Sequence, residues 1–107
     1  MGNATSLALD ESGYHSGATK GAAAELLVAA RLMANGFQVF RNLSPNGIDL
    51  LALKGGQVLR IEVKSALKWS ADGSKMHHPH VDWSQIDVLA VVDNLGEIVL
   101  LPHQPPA

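Results

Sequence analysis

Glu25, Asp49, Glu62 and Lys64 are the residues of this 107-residue chain whose types and order could do chemistry. Asp49 and Glu62 lie on apolar runs joined by the tight turn Lys54-Gly55-Gly56-Gln57, so their carboxylates can meet across a hairpin. Two carboxylates at close range repel unless a cation lies between them. The chain has no cysteine, so a hard divalent ion held by oxygen, Mg²⁺ or Mn²⁺, is the expected cofactor. Lys64 follows Glu62 by two positions and shares its strand face. An ammonium there can position or deprotonate a water, or stabilise charge developing on a phosphate. Such a set suits in-line attack of water on a phosphodiester.

The elements that must position these residues can be read from apolar periodicity. Lys20 to Asn35 reads as a helix stopped at Asn35-Gly36. At about 100° per residue, Lys20, Arg31 and Asn35 form its wet face, and Glu25 falls in line with Ala22, Ala29 and Leu32. A carboxylate on the apolar side needs a partner, because burying a bare charge is expensive. Strands are expected at Phe37 to Arg41, Ile48 to Leu53, Val58 to Lys64, Ile86 to Val92 and Glu97 to Leu101. The Ile86 to Val92 run is apolar throughout, as in a strand buried on both faces. Ala66 to His80 reads as a loop, mobile or with a short helical turn. The order is helix, three strands, loop and two strands, an α+β layout with the helix packed on a mixed, mostly antiparallel sheet of about five strands.

Each residue also has a plainer reading. Glu25 alone is a glutamate near a helix start, favoured by the dipole. Asp49 alone is a turn aspartate after Asn46-Gly47. Arg60, Glu62 and Lys64 alone form the wet face of an amphipathic strand. Their joint order is what points to a site.

Composition bounds the rest. The length suits one small domain, and 47% apolar residues can form a core. Residues 1–16 read as a flexible leader, 17–102 as the domain and 103–107 as a Pro-rich tail. No stretch approaches the roughly 20 apolar residues of a membrane span, and no secretory signal is visible, so a cytoplasmic protein with no membrane partner is expected. The net charge of −2 runs against strong, purely electrostatic DNA binding.

The segments KGAAAE, GFQVF, GIDLLAL and RIEVKSA, in that order, resemble the PD-(D/E)XK nuclease signature. More narrowly, they are similar to the archaeal Holliday-junction resolvase branch and related small bacterial endonucleases. IDVLAVVDNLGEIVLLP resembles the strand pair that follows the motif in several bacterial members. The resemblance covers about residues 17–102, and Ile48 stands where the signature has proline. It implies an α/β/α restriction-endonuclease-like core and a metal held by Asp49, Glu62 and the Val63 backbone carbonyl. It also implies that Glu25 acts through a metal-bound water and that Lys64 is the catalytic lysine. Ser65 matches the family's common serine and would contact a phosphate or hold the lysine. The implied partner is nucleic acid, with branched or duplex DNA as the expected substrate, and a homodimer suits a chain with so little surface.

Around this set, Lys20, Arg60, Ser65 and Lys68 are the candidate substrate contacts. Arg60 would bind phosphate or pair with a carboxylate. Lys68, Lys75, His77, His78 and His80 suit plain solvent exposure or a substrate-facing loop better than a zinc site, because their spacing matches no zinc pattern. Trp69 and Trp83 read as core or interface anchors, and Asp87 as a cap or turn contact. Two other classes remain open: a catalytically inactive nucleic-acid- or protein-binding module on the same fold, and a small acidic domain whose strand charges are merely solvated.

Overall fold

The structure is a computed structural model; it describes residues 17–44, 46–65, 81–93 and 95–103. Its elements are helix α1 (Gly17–Ala34) and strands β1 (Gln38–Arg41), β2 (Leu50–Lys54), β3 (Gln57–Ser65), β4 (Val88–Val92) and β5 (Ile98–Pro102). The strands form one five-stranded sheet in the order β1-β2-β3-β4-β5. Only β3 and β4 are parallel; the other three pairs are antiparallel. A parallel pair needs a long crossover, and residues 66–80, read above as a loop, fall within that connection and outside the described residues.

Local chemistry explains the element ends. The helix stops because Gly36 takes φ 87°, with its N–H on the Met33 carbonyl and the Phe37 N–H on the Leu32 carbonyl. The β2–β3 hairpin turns on Gly55 and Gly56 at φ 57° and 80°, the backbone a two-residue I′ turn requires.

The helix face of the sheet holds the main core. Ala24, Val28 and Leu32, at i, i+4 spacing, pack on Leu50, Ala52, Ile61, Ala90 and Val92. Ala52 and Ala90 are fully buried and small, which lets the helix approach closely. Ile61 is 1% exposed, and cutting it back to alanine would cost about 2–5 kcal/mol. The opposite face carries a smaller cluster of Ile86, Leu89 and Val91, packed by Ile48, Val81, Trp83 and Leu101. Among the described residues one helix layer is present, on the first face.

Two expectations need correction. The helix begins at Gly17, not Lys20. Lys20 is not on a wet face: it is 8% exposed. It lies one turn before Ala24 on the same i, i+4 row, so the stripe that packs on the sheet passes through it. Its angular match with exposed Arg31 was a poor guide because burial on this helix follows the sheet-facing row along its length.

Candidate active site

The site is built at the open end of the β2–β3 ladder. Register pairs run from Lys54↔Gln57 to Leu50↔Ile61, with Asp49 just before the first paired residue of β2 and Glu62 just after its partner on β3. The Asp49 N–H donates to the Ile61 carbonyl at 3.1 Å, so Ile61 faces both Leu50 and Asp49 and the regular ladder ends in a bulge. The Asp49 carboxylate then turns towards β3, and its Oδ2 accepts the Val63 N–H at 2.7 Å. The N–H and C=O of one strand residue point to the same side, so the Val63 carbonyl also faces the Asp49 side.

The loop before Asp49 is shaped by Asn42. Its Nδ2 donates to the carbonyls of Asn46 at 2.9 Å and Ile48 at 2.7 Å, and its Oδ1 accepts the Ser44 N–H at 2.9 Å. Its own N–H reaches the Asp49 carbonyl at 3.0 Å. These bonds replace the ladder where the chain leaves β1, and Gly47 at φ 93° closes the bend.

On β3, alternation puts Arg60, Glu62 and Lys64 on the face away from the helix. Lys64 Nζ lies 3.3 Å from Glu62 Oε1, with both side chains partly exposed. Arg60 is differently placed. Its backbone N–H and Nε donate to Asp87 Oδ2 at 2.8 and 3.1 Å, and Nη2 donates to Oδ1 at 3.1 Å. Nη1 also reaches the Ser84 carbonyl at 3.4 Å, and the Asp87 N–H returns to the Arg60 carbonyl at 2.8 Å. These guanidinium bonds, then the backbone N–H, hold the Asp87 carboxyl below its ordinary range, and Asp87 raises Arg60 further above its own. Of the two roles considered for Arg60, the structure therefore shows the carboxylate pairing.

Glu25 sits on the helix face and meets Arg41 Nε at 3.3 Å. Arg41 ends β1 opposite Leu50, one residue from Asp49. Among the described residues, no three His, Asp or Glu side chains converge as a metal site. The structure thus sets Glu62 and Lys64 in contact, with the Asp49 carboxylate on the backbone of Val63 between them, and holds Glu25 through Arg41 on the opposite, helix face of the sheet. Ser65 pairs with Val92, on the face opposite Lys64. Lys68 and the histidines at 77, 78 and 80 lie outside the described residues.

Comparison with known proteins bears on what these residues are for. Residues 16–76, more than half of the chain, match the family model described as archaeal Holliday junction resolvase. The chain belongs to the archaeal Holliday junction resolvase family. It is a nuclease acting on nucleic acid, of a family that uses divalent metals. Among solved structures, a bacterial homing endonuclease shares the fold at TM-score 0.68 and 19% identity, covering 82% of this chain and 70% of that one. No curated protein matches the chain.

The donor atoms of this resolvase-family chain fit a hard cation. Asp49 Oδ2 is taken by the Val63 N–H, while Oδ1 accepts no hydrogen bond among the described residues. Glu62 offers its second oxygen, and the Val63 carbonyl is a further oxygen on the Asp49 side. An all-oxygen set of this kind suits a hard divalent cation.

Sequence reasoning missed the Arg41 partner of Glu25, the Asn42 scaffold before Asp49 and the lock between Arg60 and Asp87. Asp87 at the head of an apolar run was a signal for the last. Asn42 carried none, because its bonds depend on how the loop folds back.

Proposed function

We propose that this chain is a Mg²⁺- or Mn²⁺-dependent endonuclease that hydrolyses phosphodiester bonds in DNA, branched or duplex. Asp49, Glu62 and the Val63 carbonyl would hold the ion. The observation that carries this is the Asp49 carboxylate seated on the Val63 N–H at 2.7 Å, next in the strand to Glu62, with Lys64 at 3.3 Å from Glu62. Bound there, the ion would lower the pKa of water and screen charge on the phosphate.

The protein's own residues do the rest. The Val63 N–H fixes the Asp49 carboxylate, so its other oxygen is held ready without losing side-chain entropy on binding. Lys64 donates from Nζ to the scissile phosphate as negative charge develops on its oxygens. Water adds to phosphorus and releases one proton to solvent, the P–O ester bond to the leaving nucleotide breaks, and the leaving oxygen takes up a proton in its place. Glu25 is held by Arg41 on the helix face, beside the loop that carries Asp49; that it would orient the attacking water rests on the family resemblance. The proposal includes a homodimer, whose two sites suit the two strands of a junction, and a cytoplasmic setting. No described helix is long and apolar enough to cross a membrane.

The test is a cleavage panel of four-way junction, flap, linear duplex, single-stranded DNA and tRNA, each with Mg²⁺ and with Mn²⁺. Metal-dependent cutting of a DNA form, abolished by Glu62→Gln, is expected. Binding without cutting would give the place to an inactive binding module. Cutting confined to tRNA would overturn the DNA assignment.

A further inference from the structure

We infer that the cleft beside Glu62 is a nucleotide subsite that takes the sugar and base next to the scissile phosphate, with Gln85 as its positioning residue; this rests on the nuclease reading of Glu62 and Lys64. The cleft has a volume of about 280 Å³ and is lined by Gly47, Ile48, Glu62, Asp82, Gln85 and Ile86. That volume falls just below small-ligand pockets, which run from roughly 300 to 1,000 Å³. It suits one nucleotide unit and excludes a duplex.

The chemistry of the walls selects the neutral part of the nucleotide. No Lys or Arg is among the lining residues, so a phosphate inside would meet no counter-charge from them. The ammonium of Lys64 lies at Glu62, which is itself part of the lining, so the phosphate belongs on that side. Ile48 offers apolar surface and the buried Ile86 forms the floor behind it, both packed in the cluster on the face away from the helix. Gln85 is exposed, and its carboxamide makes no hydrogen bond among the described residues. A carboxamide carries donors and an acceptor, so it can match a base edge or a sugar hydroxyl.

The wall that carries Gln85 is rigid. Its N–H donates to the Asp82 carbonyl at 3.1 Å, and Asp82 Oδ1 accepts the Ser84 N–H at 3.0 Å and the Ser84 hydroxyl at 2.6 Å. Arg60 ties the turn to β3 through the Ser84 carbonyl. Gln85 is therefore held at a set distance from the strand that carries Glu62, which is what positioning of a reacting group requires.

The experiment uses the full chain. Cleavage by wild type and Gln85→Ala is measured on DNA randomised around the cut. Gln85→Ala is expected to raise KM about three- to tenfold, the worth of one lost hydrogen bond, with kcat near wild type. It should also flatten the nucleotide preference at the position flanking the cut, which a purely structural defect would not do. In parallel, isoleucine methyl signals are followed as a duplex oligonucleotide is added with Ca²⁺ in place of Mg²⁺. Ile48 and Ile86 should shift, while Ile61 and Ile98, packed on the helix face, serve as internal controls. Unchanged KM and preference in Gln85→Ala, or no selective shift of Ile48 and Ile86 in a protein that binds and cuts DNA, would overturn the subsite alone. A wild-type protein that neither binds nor cuts DNA would overturn the nuclease reading and the subsite with it.

Discussion

Arg60 and the Glu62–Lys64 pair lie on one face of one strand, yet they are held in opposite ways. Arg60 donates to Asp87 from its backbone and from two guanidinium nitrogens, and Asp87 answers with its own N–H. Glu62 and Lys64 share one contact of 3.3 Å between partly exposed side chains. An ion pair between exposed groups is worth about 0–1 kcal/mol, so Glu62 and Lys64 can exchange each other for a cation and a phosphate at little cost. Arg60 and Asp87 would have to give up a bidentate fork and backbone bonds to do the same. The first pair is equipped for chemistry, and the second fixes the parallel register that sets where the first one stands.

The largest effect should come from the loosely held pair. Lys64→Ala and Glu62→Gln are expected to lower kcat about 100-fold or more in a metal-supplemented cleavage assay. Their melting temperatures should stay close to wild type, and a large drop in either would erase the contrast with Arg60.

Asp49 combines both behaviours, so two variants should separate them. Asp49→Ala removes the acceptor of the Val63 N–H, and a part-buried donor left without its partner costs about 1–3 kcal/mol. Asp49→Asn keeps an oxygen for that bond but removes the charge. Denaturant unfolding should show Ala well below Asn, while both lose cleavage. Equal stability would mean that the Val63 bond contributes nothing.

Asp87→Asn should do the reverse of Lys64→Ala: melting falls by several degrees, and cleavage per folded molecule falls less than in the Lys64 variant. A pH series sharpens this. Because the folded-state pKa of Asp87 is depressed, its contribution is fully present above the unfolded value of about 3.9 and is lost as pH falls through the folded pKa. Wild type should therefore lose stability below about pH 4 more steeply than Asp87→Asn. Parallel acid limbs would break the assignment.

The smallest stability effect is expected at Arg41, whose pair with Glu25 is exposed. Arg41→Gln should change stability by about 0–1 kcal/mol in denaturant unfolding. Its cleavage should fall if the tether orients Glu25, and unchanged kcat would show that Glu25 needs no tether.

Much of this was legible in the chain. The helix with its stop at Asn35-Gly36, the Gly-Gly turn and the alternation of Leu59, Ile61 and Val63 with Arg60, Glu62 and Lys64 follow from local sterics and side-chain period, which neighbouring residues carry between them. That Asp49 lies against the strand of Glu62 and Lys64 was legible too, because a two-residue turn sets the register of a hairpin. The burial of Lys20, the Arg41 tether, the Asn42 scaffold, the Arg60–Asp87 lock and the cleft at Gln85 were not. Each joins residues far apart in the chain or depends on a loop folding back, and single-residue periodicity carries no information about such partners. The strand charges were written into the sequence. Which of them is locked and which is left available among the described residues was decided by the parallel docking of β4, since that docking brings Asp87 to Arg60 and sets Glu62, with Lys64 beside it, at the cleft.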